Sequence, residues 1–229
     1  MKQKSDAKKI QEGRCLGTGD RYVGFIKANE IGSIGTSTAV YDPIAERTVD
    51  TLSMGEKEFF WIMRYRDDVK LIQEQMMLSS ETVRNICEEH GFRVLRNVLS
   101  TDFLITFRND SRIAYSIKSG AEEFNPDSPK YQTLLVRQYI EMEYWTRYGI
   151  DFRIVLRENL NKTLAVNIEH CMAYYDPAHV QSEEAMLKYL VAHKAVSVPM
   201  DREILRFAGL VRGNEEKIRE TYRRYRDGK

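Results

Sequence analysis

The clearest hairpin pattern of apolar runs and polar turn lies between residues 100 and 120. Residues 102–107 and 113–118 are two β-rich runs, and the pentad Arg108-Asn109-Asp110-Ser111-Arg112 between them is turn-forming, so the stretch predicts an antiparallel hairpin. Upstream, Ser53-Met54-Gly55-Glu56 has the S-x-x-E spacing of a capping box. It opens a predicted helix to about Arg66, with Glu56, Phe59, Phe60 and Met63 on one face. Residues 69–77 predict a strand, and 81–90 a helix stopped by Gly91. The loop Asn125-Pro126-Asp127-Ser128-Pro129 feeds a predicted helix over 130–148, which Gly149 ends, and 152–156 form the next strand. A helix between two strands implies a crossover connection, and so a mixed α/β sheet. The first fifty residues read as loops and edge strands, with apolar pieces at 22–26 and 39–41. After Asp176-Pro177 the pattern is purely helical, over 183–193, 201–211 and 214–226. The chain therefore reads as a domain of residues 1–175 followed by a small all-α domain of residues 176–229.

With 229 residues, 42% of them hydrophobic, the chain can bury an ordinary core. Its longest apolar run, Phe59-Phe60-Trp61-Ile62-Met63, is far short of the ~20 residues that span a bilayer. No apolar leader follows Met1, so neither secretion nor a membrane partner is expected. Three cysteines without C-x-x-C spacing argue against a disulfide framework or a zinc finger, which leaves a reducing cytoplasm as the expected location. Net charge is +1, but the basic residues gather at the ends. Residues 1–14 hold Lys2, Lys4, Lys8, Lys9 and Arg14 against two acids, and 212–229 hold seven Lys and Arg against four acids. Lys8, Lys9 and Arg14 are candidate phosphate contacts, although solvated tails explain the same composition.

Chemistry concentrates on the hairpin. A turn centred on Asp110 puts Asp102 opposite Lys118, and alternation puts Asp102, Ser116 and Lys118 on one face. A cross-strand ion pair that pins register explains this pattern, at ~0.2–1 kcal/mol. Metal-assisted phosphodiester hydrolysis explains it too: Asp offers hard oxygen to Mg²⁺, while Lys positions a nucleophile or offsets developing charge. Glu56 likewise has two readings, as the closing member of its capping box or as a second carboxylate at a site. The glycines of Gly13-x-x-x-Gly17-x-Gly19 fit neither a dinucleotide fingerprint nor a P-loop, and no G-x-S-x-G elbow is present.

Several segments together resemble the TnsA family of transposon-end endonucleases. Lys9-Ile10-Gln11-Glu12-Gly13-Arg14 with Gly17, Gly19 and Tyr22 resembles its N-terminal K-I-x-E-G-R-x-x-G-x-G-x-x-Y segment. Leu52-Ser53 with Glu56 resembles its L-S-x-x-E helix start, and Ile72-x-Glu74-Gln75 its next strand. Ser100-Thr101-Asp102-Phe103-Leu104 resembles its S-T-D-F-L motif, and Glu141 with Tyr144-Trp145 its E-x-x-Y-W helix. The resemblance implies a restriction-endonuclease-like fold and a Mg²⁺-dependent nuclease site, with Mn²⁺ as a substitute. Glu56, Asp102 and Lys118 match the family's catalytic positions. The Ile117 carbonyl joins Glu56 and Asp102 as an oxygen ligand, and Glu141 is a secondary candidate. It further implies a DNA substrate cut at the 5′ ends of the element, a TnsB-like transposase partner that cuts the 3′ ends, and a TnsC-like ATPase regulator. One departure stands out: Ser116 occupies the position where the family usually carries Gln. The alternative reading is a non-cleaving assembly subunit that kept the nuclease fold and bridges transposase, ATPase and DNA.

Overall fold

The computed structural model describes residues 4–31 and 37–228; Lys2 and Lys229 of the basic ends lie outside them. Helix α1 (Asp6–Gln11) is N-capped by Ser5, and strands β1 (Thr38–Asp42) and β2 (Arg47–Thr51) form an antiparallel ribbon. Then come α2 (Met54–Arg64), β3 (Val69–Met77), α3 (Ser80–Glu89) and β4 (Ser100–Phe107). The order continues with β5 (Arg112–Lys118), α4 (Tyr131–Arg147) and β6 (Asp151–Leu156). Strands β3, β4 and β5 pair antiparallel, and β6 joins β5 in parallel after the α4 crossover, giving the order β3-β4-β5-β6. This is the mixed α/β sheet flanked by helices that the residue pattern predicts, consistent with a restriction-endonuclease-like fold.

Alternation along the strands gives the sheet two apolar faces. On one, Leu104 and Ala114 pack with Ile86 and Cys87 of α3 and with Ile140 and Trp145 of α4. On the other, the Phe59 ring of α2 lies 5.2 Å from Phe103 and 4.9 Å from Tyr115. Burial on both faces is what fixes strand register, because a one-residue slip would turn every apolar side chain to the wrong side.

The hairpin register differs from the expected one. Phe103 pairs with Tyr115 and Leu104 with Ala114, so the ladder centres on Asn109 and sets Asp102 against Ser116, not Lys118. The turn chemistry explains this. Phe107 N–H donates to Ser111 O, Asp110 takes the left-handed region at φ 62°, and Asn109 Oδ1 accepts from Ser111 N–H. The shift is one full pair, so the shared face survives.

Residues 22–26 form no strand. The segment instead lies along the outer edge of β3. Phe25 N–H donates to Gln75 O at 3.0 Å, and Tyr22 Oη donates to Glu74 O at 2.7 Å. A Cβ on Gly24 would come within 3.0 Å of Glu74 O, so the close approach requires glycine. The covered edge is closed to further strand pairing there.

This packing draws two expected phosphate contacts inward. The Arg14 guanidinium is 2% exposed; it donates to both Glu30 carboxylate oxygens, to Glu12 and to Phe25 O. Lys9, also 2% exposed, pairs with Asp6 and lies 4.7 Å over the Phe25 ring. The hydrogen bond from Arg14 holds the Glu30 carboxyl below the ordinary glutamate value of 4.5. A depressed native value means that the unfolded chain takes up the proton first as pH falls. The stabilisation is therefore complete above that ordinary value and is lost as pH drops through the native one. Denaturation midpoints of wild type and Glu30→Gln should differ most near neutrality and converge in acid.

A second compact unit comprises residues 61–65 and 161–229. The division falls at Leu160/Asn161, ahead of the boundary expected near residue 175, because helix α5 (Lys162–Met172) packs on α6 (Glu183–Ala192). Helices α7 (Phe207–Val211) and α8 (Glu215–Asp227) complete it, with Tyr189, Leu190 and Tyr222 in its core. The helix expected over 201–211 is confined to its last turn. The buried Asn167 carboxamide takes the backbone of Met200, Glu203 and Leu205 into three hydrogen bonds, which holds that stretch as a loop.

Candidate active site

Three sequence-distant elements meet in one cleft of about 440 Å³. The start of α2 brings Glu56, β4 brings Asp102, and the end of β5 brings Lys118, with Gln75 of β3, Ser100 and Arg137 alongside. Glu56 is held from several sides. Its Oε2 accepts Leu52 N–H at 2.9 Å and Gln75 Nε2 at 3.1 Å, and its Oε1 accepts Ser53 Oγ at 3.1 Å. Ser53 Oγ in return accepts Glu56 N–H at 3.1 Å. The cap and the site reading of Glu56 are thus the same geometry: the carboxylate that closes the helix start also lines the cleft.

Asp102 Oδ2 accepts Ile117 N–H at 2.7 Å and Ser116 Oγ at 3.4 Å. Among the described residues its Oδ1 accepts no hydrogen bond. Ser116, 1% exposed, also receives Lys118 Nζ at 2.6 Å, so one hydroxyl joins the ammonium to the carboxylate. The same Nζ reaches Ile117 O at 3.3 Å. Behind Asp102, Glu141 Oε2 accepts Thr101 Oγ1 at 3.0 Å and Oε1 accepts Arg137 Nε at 3.1 Å. Trp145 Nε1 donates to that same Thr101 hydroxyl at 2.9 Å, which ties this buried ring of α4 to the strand that carries Asp102.

Burial, and then the charge of Asp102, push the Glu56 carboxyl up to about 8. Burial raises Glu141 to about 7, against the opposing pull of Arg137. Two carboxylates pressing on one another in a partly buried cleft form a site that a cation would relieve. The convergent donors are all oxygens, the set that hard divalent ions take. Among the described residues no three Asp, Glu, His or Cys side chains gather as a metal-binding group. Glu56 and Asp102 are joined in lining the cleft by Glu123, whose Oε1 accepts Ser119 N–H, and by Ile117; Mg²⁺-type sites ordinarily keep several waters besides.

The expected site residues divide clearly. Glu56, Asp102, Ile117 and Lys118 line the cleft, while Ser116 and Glu141 stand directly behind it. Lys8 is exposed on α1, whereas Lys9 and Arg14 are taken up in buried pairs. Gln75, Ser100 and Arg137 were not anticipated. With the correct register, Gln75 falls opposite Asp102, since its neighbours Glu74 and Met76 pair with Phe103 and Thr101.

Residues 66–157 match the family described as TnsA-like endonuclease N terminal, a span that contains Gln75, Asp102, Ser116, Lys118 and Glu141 and begins after Glu56. The Escherichia coli protein named transposon Tn7 transposition protein TnsA is 26% identical over 218 residues, covering 86% of this chain and 78% of that protein. Residues 66–157 thus resemble a TnsA-like endonuclease N-terminal domain, and most of the chain is similar to a Tn7 TnsA protein.

Proposed function

We propose that this cleft hydrolyses DNA phosphodiester bonds with a bound Mg²⁺, or Mn²⁺ in its place, at the 5′ ends of a mobile element. The proposed setting is a Tn7-like transposition system, with a TnsB-like transposase and a TnsC-like ATPase as partners. The observation that carries the reading is the convergence of Glu56, Asp102 and Lys118 from α2, β4 and β5 on one cleft. Glu56 and Asp102 would hold the ion, with the Ile117 carbonyl and water completing an oxygen shell. Bound there, the ion supplies Lewis-acid polarisation of a phosphoryl oxygen and a more acidic water. Lys118 offsets negative charge as it develops on the phosphate and orients the attacking water. Ser116 keeps Lys118 Nζ directed at the carboxylates by accepting a hydrogen bond from it. Arg137, half-exposed at the rim, offers a cation to the DNA backbone. No helix among the described residues is long and apolar enough to cross a membrane.

Strand-specific cleavage of a duplex carrying an element end tests this directly. Cutting should be confined to the strand whose 5′ terminus belongs to the element, require the transposase, and stop in EDTA. Cutting that persists in EDTA, or no cutting in the complete mixture, would overturn the proposal.

A further inference from the structure

We infer that Gln75 is a positioning residue for the divalent cation: its side-chain amide, anchored at its oxygen end by Ser100, fixes the Glu56 carboxylate so that Oε1 is left to meet the ion beside Asp102. The inference rests on the cation site proposed above and goes beyond it by assigning a residue with no charge and no surface.

Three observations support it. First, Gln75 is 1% exposed and its amide is fully engaged at both ends, since Ser100 Oγ donates to Oε1 at 3.0 Å and Nε2 donates to Glu56 Oε2 at 3.1 Å. Only the amide nitrogen can donate, so the acceptor-only Glu56 carboxylate selects that end, and the Ser100 hydroxyl donates to the amide oxygen at the other. Second, the backbone at Gln75 takes φ 47° within a strand, a left-handed conformation that is strained for a non-glycine residue. The loop over β3 clamps it there, because Gln75 O accepts both Phe25 N–H at 3.0 Å and Cys15 Sγ at 3.4 Å. Strain maintained by packing at the edge of a cleft is a feature of sites whose geometry is prepared in advance. Third, a carboxylate offers about four lone-pair positions. Leu52 N–H and Gln75 Nε2 occupy both on Oε2, and Ser53 Oγ takes one on Oε1. The remaining position is on Oε1, so Gln75 determines which oxygen is open.

Calorimetric titration of Mn²⁺ alone into the full chain tests this. Asparagine tolerates the left-handed region better than other side chains, yet is one methylene too short to span Ser100 and Glu56. Gln75→Asn should therefore weaken Mn²⁺ binding ~10–100-fold, the usual effect of removing a group that orients a ligand. Ser100→Ala, which removes the hydrogen bond anchoring the amide oxygen, should shift affinity the same way, and it carries the test if Gln75→Asn does not fold. A merely structural Gln75 would lower the melting temperature in EDTA and leave Mn²⁺ affinity at the wild-type value; that result overturns the inference. Absence of saturable Mn²⁺ binding to wild type is a different failure, which sinks the cation site itself and the inference with it.

Discussion

Asp102→Asn should abolish strand cleavage, by at least ~10²–10³-fold, while leaving the fold as stable as wild type or slightly more so. The loss follows from the position of the carboxylate. Removing a single preorganised charge-stabilising group costs that much in other active sites, and Asp102 Oδ1 is a carboxylate oxygen in the cleft that no neighbour among the described residues occupies. The stability half of the prediction has the opposite sign for an electrostatic reason. Asp102 and Glu56 repel one another, and the charge of Asp102 contributes to pushing Glu56 up to about 8. An amide in its place still accepts the Ile117 N–H through its oxygen and removes the repulsion. Cleavage assays paired with thermal melts in EDTA check both parts. A variant that loses activity only because it is unfolded, or one that still cuts at the wild-type rate, would contradict the assigned role.

How much of this was legible beforehand depends on the residue. Asp102, Ser116 and Lys118 could be grouped because side-chain direction in a strand has period two, so an error of one whole pair in the turn leaves the face intact. The register itself was not legible, since it depends on the left-handed Asp110 and on Asn109 bonding Ser111. Glu56 was legible as a cap and as a site residue, and the two are compatible because capping leaves a lone pair over. Gln75 was hidden by its own backbone: strict alternation gives no hint of a φ of 47°. Arg14 misled for a different reason. A cation near a chain end looks like a phosphate contact until Glu30, sixteen residues on, is known to enclose it. In the helical unit, residues 201–206 carry a helical pattern that the Asn167 carboxamide overrides.

Glu74→Ala should be the most destabilising single change in the sheet domain, at about 3–5 kcal/mol. Glu74 is 1% exposed and Arg47 6%. The guanidinium donates to both carboxylate oxygens, at 2.8 and 2.6 Å, and also to Ile72 O and Thr48 O. Among the described residues its Nε already lacks a partner, so loss of Glu74 would leave a buried cation with two further unpaired N–H groups. The Tyr22 ring 5.1 Å away cannot replace a carboxylate. Desolvation makes the pair itself a weak source of stability, and breaking it from one side is what carries the penalty. The double variant Arg47→Met/Glu74→Leu should therefore recover most of the loss, giving a large coupling energy in a double-mutant cycle measured by urea denaturation. Strictly additive losses would mean that the two side chains stabilise the fold independently. The position of this pair also links it to the cleft: Glu74 and Gln75 are consecutive on β3, so the pair anchors the strand at the residue where its backbone turns left-handed. Arg47→Met/Glu74→Leu, with the strand again anchored by packing, should keep Mn²⁺ affinity close to wild type, whereas Glu74→Ala should lose part of it along with stability.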